Sequence, residues 1–158
     1  MSLPLPDDAS ASPELAAEYA AARDREGRVM AILRALGPRA EVVRAFLELT
    51  DAVLYGPAAL GRREREVLAL ATSEANGASY SASVHARLLE DLGGRQDGDE
   101  ALVAFARRLT LAPGEAEDAV AALPLSAEEI SDAILVVSLL NLANRTALAT
   151  GITSDDDL

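Results

Sequence analysis

Glu66, Ser81 and His85 are the residues whose types and spacing suggest chemistry in this chain. Ser81 and His85 stand four positions apart, so on one helix the hydroxyl can reach the imidazole. With Glu66 orienting the ring, the set supplies the serine, histidine and acid of a hydrolytic triad. The competing reading of Ser81 is a cap or solvated residue at a helix start, and no oxyanion hole can be named beside it. His85 is the only histidine, and Val84, Leu88 and Leu89 surround it in sequence. It reads either as a hydrogen-bonded structural residue or as a proton-transfer group. Glu66 closes the charged run Arg62, Arg63, Glu64, Arg65, Glu66, which by itself means a solvated helix start. Yet Val67, Ala69 and Leu70 follow, so Glu66 borders a buried face, where a carboxylate needs a partner such as His85 or an arginine.

The inventory of side chains excludes most other chemistries. The sequence has no cysteine, which removes thiolate nucleophiles, disulfides and iron–sulfur ligation. All 14 basic residues are arginine, so no Schiff base can form on a lysine. A single histidine cannot build a multi-histidine zinc site. No metal and no cofactor are expected.

The elements that must position these residues are helices, and the fold class expected is all-α in a single domain. Ser12-Pro13 is a helix start, and apolar positions run through Leu15, Tyr19, Val29, Ile32 and Leu33 with a break near Gly27, giving one helix or two. Pro38 opens the next, with Val42, Val43, Phe46, Leu47 and Val53 at helical spacing until Gly56-Pro57. Arg62 to Glu74 and the helix bearing His85 are joined at Asn76-Gly77, and the second stops at Gly93-Gly94. Asp97 to Thr110 and a short Glu115 to Leu123 follow. In the last helix Ser126 and Glu129 form a capping box, Leu125 and Ile130 are placed for a hydrophobic staple, and Gly151 is the stop. Residues 133 to 143 are apolar nearly all round, as in a helix buried on several sides by its own domain or by another subunit.

With 26 acidic residues against 14 basic the net charge is −12, which argues against nucleic acid and anionic membrane as partners. No apolar run approaches the roughly 18 residues of a membrane span, and the start lacks the pattern of a secretory signal. The cytoplasm is the expected location.

Residues 61 to 92 resemble the active-site hairpin of the alkylhydroperoxidase D-like branch of the carboxymuconolactone decarboxylase family. That hairpin carries an acidic helix, then N-G-C-x-Y-C, then a histidine four residues on. Asn76, Gly77, Tyr80 and His85 match, while Ala78 and Ser81 stand at the two cysteine positions. A second segment extends the resemblance: Leu125, Ser126, Glu128, Glu129 and Ile130, then Asn144 and Arg145, match an L-S-x-E-E-I opening and a closing Asn-Arg pair. The chain is most similar to the peroxidase-related members. The likeness covers a helical domain over residues 38–151, preceded by an N-terminal helical extension over 12–37; residues 1–11 read as a flexible tail and 152–158 as an acidic tail.

In the redox members the second cysteine attacks the peroxide O–O bond, the first closes a disulfide, and a glutamate with the histidine relays protons. The resemblance places Glu66, Ala78, Ser81 and His85 at those positions and makes Asn76, Tyr80 and Arg145 pocket candidates. Serine cannot replace the thiolate, because its hydroxyl is a far weaker acid and stores no electrons as a disulfide. The resemblance therefore implies a redox-inactive relative that keeps a homo-oligomer of dimer to hexamer size and a possible small-molecule pocket. Its alternative is a non-thiol enzyme of the decarboxylase type, with His85 as general acid/base and Glu66 as orienter.

Overall fold

The structure is a computed structural model and describes residues 5–154. Residues 1–4 of the expected N-terminal tail and Asp155 to Leu158, most of the expected acidic tail, lie outside the described residues. Eight α-helices and no strand are present among them: α1 (Pro13–Glu26), α2 (Ala31–Ala35), α3 (Ala40–Thr50), α4 (Arg62–Asn76), α5 (Ser79–Asp91), α6 (Glu100–Leu111), α7 (Glu117–Ala121) and α8 (Ala127–Thr150). The all-α class expected from the periodicity is the class observed.

The described residues divide into two compact units, residues 5–49 with 146–154, and residues 50–145. In the first unit, Ser12 caps α1 through its hydroxyl, which accepts from the Leu15 N–H at 3.2 Å, and Pro13 occupies the first turn. Gly27 ends α1 with φ of 75°, so the sequence from Pro13 to Ala35 is two helices. Leu15, Tyr19, Leu33 and Val43 are buried there. Ahead of α1, the Asp7 carboxylate accepts from the Ser10 N–H at 2.8 Å, and Asp8 pairs with both Arg23 and Arg34. The Arg34 guanidinium also lies over the Tyr19 ring, 4.9 Å from its centre.

The second unit is built round α4, which packs against both α5 and α6. Every residue from Arg65 to Ser73 is buried, and the small Ala69, Ala71 and Ser73 let neighbouring backbones approach closely. From α6, Leu102, Phe105 and Ala106 face this core, and Ala133, Val136, Val137 and Leu140 of α8 are buried too. The start of α8 has the capping box read from the sequence: the Ser126 N–H donates to Glu129 Oε2 at 2.8 Å and the Glu129 N–H to Ser126 Oγ at 3.3 Å. Gly151, φ 76°, ends it, its N–H donating to the Ala147 carbonyl at 3.0 Å. By length and composition alone α8 is apolar enough to cross a membrane, but 56% of that stretch is buried within the protein, as in a core helix.

Candidate functional site

Three features hold the hairpin that carries the site. Gly77 takes φ of 66°, a left-handed conformation that favours glycine, and its N–H donates to the Glu74 carbonyl while that of Ala78 donates to the Ser73 carbonyl, each at 3.0 Å. The chain reverses within this turn and α5 runs back along α4. A π-helical turn at Asp51–Tyr55, also in contact with α4, is pinned by Arg65, whose Nη1 donates to the carbonyls of Val53 at 3.2 Å and Gly56 at 3.0 Å. The approach to α4 is held by Asp132, whose carboxylate accepts from the Ala59 and Leu60 N–H groups at 2.8 and 2.9 Å.

Glu66 and His85 meet inside this frame. His85 Nδ1 lies 2.7 Å from Glu66 Oε2, and the carboxylate is wholly buried. The other carboxylate oxygen, Oε1, is 2.5 Å from Arg62 Nη1. That contact is an ion pair to a residue one turn earlier on the same helix. The Arg62 guanidinium in turn stacks over the Tyr55 ring, 4.6 Å from its centre. Burial is the largest single influence on Glu66 and pushes its carboxyl up, but His85 and Arg62 together outweigh it and hold the group below its ordinary 4.5. An ionised carboxylate only accepts, so Nδ1 carries the proton and Nε2 is the ring atom left for chemistry.

The other sequence candidates separate. Ala78 and Ser81 are buried at the start of α5, but no hydrogen bond joins Ser81 to His85 among the described residues, so the serine–histidine link of a triad is not formed. Tyr80 is buried. Asn76 is half-buried and donates from Nδ2 to Asn141 Oδ1 at 3.0 Å, while Asn141 donates onward to Thr110 Oγ1 at 3.2 Å. That network ties the hairpin to α6 and α8. Asn144 is buried against Ser73, and Arg145 is exposed with no ion pair among the described residues. Arg62 is the site residue that its charged run concealed; its position four residues before Glu66 on one helix was the available signal.

The model of the carboxymuconolactone decarboxylase family matches residues 40–125, more than half of the chain's 158 residues. The chain belongs to that family. No curated protein matches its sequence at a significant level. Among solved structures, it is similar to a peroxidase-related protein from Silicibacter sp. TM1040, with 22% identity, a TM-score of 0.78, and coverage of 96% of this chain and 89% of that one. It is also similar to a peroxidase-related protein from Ralstonia eutropha JMP134, described as an alkylhydroperoxidase AhpD core, with 23% identity, a TM-score of 0.77, and coverage of 95% and 90%. A third is the debrominase Bmp8 as a cysteine-to-alanine variant in complex with 2,3,4-tribromopyrrole, with 17% identity, a TM-score of 0.74, and coverage of 96% and 92%. At these identities the likeness establishes the fold. This carboxymuconolactone decarboxylase family member has no cysteine anywhere and so has no thiol redox activity.

Proposed function

We propose that the chain is a redox-inactive family member that keeps the helical scaffold as a homo-oligomer and retains a small-molecule pocket at the α4–α5 hairpin. One observation carries this reading: the buried Glu66–His85 contact persists at 2.7 Å while Ala78 and Ser81 stand where the resemblance puts the two thiols. A site kept for peroxide reduction alone has no use for that contact once its sulfur atoms are gone. The fold also suits a small ligand, since the Bmp8 variant was crystallised with a tribrominated pyrrole.

The oligomer is supported by α8. Ile134, Leu135 and Leu142 are exposed while their neighbours Val136, Val137 and Leu140 are buried, so apolar side chains remain that the chain's own core does not cover. A cytoplasmic location goes with this reading.

The same contact favours a second reading, proton transfer without a thiol. Glu66 would orient the ring and His85 Nε2 would take or give the proton, with Arg62 keeping the carboxylate ionised.

Light scattering together with a hydroperoxide assay tests the proposal. The expected mass is a multiple of 16.5 kDa, and cumene hydroperoxide with a dithiol is consumed no faster than in buffer. A monomeric mass removes the oligomer, and consumption above the blank removes the redox-inactive assignment.

A further inference from the structure

A groove of about 680 Å³ runs along α6, and none of its lining residues is Glu66, Ser81 or His85. Its volume falls within the range of about 300–1,000 Å³ typical of small-molecule sites. Glu100, Val103, Ala104, Arg107, Arg108 and Leu111 recur at helical spacing on one side of α6, whereas Leu102, Phe105, Ala106 and Thr110 fill the core on the other. The helix thus has a second stripe that the chain leaves uncovered: Leu111 is 62% exposed. The floor is apolar through Val103, Ala104, Leu111 and Ala112, and Arg95, Arg107 and Arg108 surround it.

The electrostatics of the groove are opposite to those of the whole molecule. Of its two acids, Asp99 is neutralised by a two-pronged Arg63 contact at 2.7 and 3.0 Å and accepts from the Gln96 N–H, and Glu100 is turned back to the Gly98 N–H at 3.0 Å. Arg95 and Arg108 each hold one exposed acid, Glu74 and Glu115, in pairs that water screens strongly. Arg107 has no ion pair among the described residues, in a chain whose acids outnumber its bases by 26 to 14. An unpaired guanidinium beside an apolar trough matches a molecule with a planar anionic head and a hydrocarbon body.

We propose that this groove binds an amphipathic organic carboxylate, with the head on Arg107 and the apolar body along Val103, Ala104 and Leu111. The assignment does not depend on the hairpin chemistry, because the two sets of residues do not overlap.

Calorimetric titration of the full chain with decanoate, below its micelle concentration, tests it against uncharged decanol. Decanoate is expected to bind saturably at one site per chain, with decanol about tenfold weaker. Arg107→Gln is expected to weaken decanoate about tenfold and Leu111→Glu to abolish binding. Both side chains are exposed, so both variants should melt as the wild type does. Absence of saturable binding overturns the proposal, as does equal affinity for decanol or an unchanged affinity in Arg107→Gln. Binding lost in His85→Ala would move the ligand to the hairpin, and a changed mass in Leu111→Glu would make the groove a subunit contact. Either result also overturns it.

Discussion

Glu66 reaches across the hairpin to His85, Oε2 to Nδ1 at 2.7 Å, and its second oxygen faces Arg62 on its own helix at 2.5 Å. The carboxylate is therefore held between a ring that reads it as a hydrogen-bond acceptor and a guanidinium that reads it as a charge. Because it is wholly buried, its solvation has been replaced by these two neighbours, and losing either leaves the charge poorly compensated.

That arrangement makes stability depend on pH in a definite direction. A carboxyl held below its ordinary 4.5 in the folded chain contributes stability that is fully present above that value and is lost as pH falls through the folded one. Urea unfolding of wild type and Glu66→Gln should differ by about 1–3 kcal/mol at pH 7, with the gap closing below the ordinary carboxyl range. A gap of constant size from pH 7 to pH 3 would show that the charge of Glu66 contributes nothing.

Arg62 should act through Glu66. Carbon-13 detection of the Glu66 carboxyl is expected to show titration below 4.5 in the wild type and a move upward in Arg62→Met, because one of the two neighbours that oppose the effect of burial is gone and burial then weighs more. An unmoved titration would reduce the Arg62 contact to coincidence.

Gly77 tests the turn that brings the two helices together. A side chain at φ of 66° is strained even though open space surrounds the position, so Gly77→Ala should cost about 1 kcal/mol in thermal or urea unfolding. Gly114 also has open space around it but no such φ, and Gly114→Ala should be close to neutral by the same measurement.

The sequence made some of this legible and hid the rest for physical reasons. Ser126 and Glu129 announced the start of α8, and Gly77 and Gly151 announced their turns, because local backbone needs are met by local residues. Glu66 was legible as a carboxylate at the edge of a buried face, in need of His85 or an arginine, and it has both. The π-helical turn at Asp51–Tyr55 was not, since the apolar spacing runs on through it until Gly56. Arg65 and Asp132 were hidden for another reason: each satisfies backbone groups of a distant loop, and a charged residue that does so is indistinguishable in sequence from a solvated one. The outer stripe of α6 was masked because Arg107 and Arg108 interrupt it.

Two cysteines at positions 78 and 81 would give the hairpin the sulfur that this sequence lacks. On the proposed function the hairpin keeps a thiol site's surroundings without its two thiols, so Ala78→Cys with Ser81→Cys should form a disulfide on oxidation and, once reduced, consume a hydroperoxide. The measurement is hydroperoxide consumption with a dithiol, wild type and double variant side by side. The expected result is the blank rate for the wild type and at least stoichiometric loss for the folded double variant. Loss above blank in the wild type, or a folded double variant that forms no disulfide and consumes no peroxide, would contradict it.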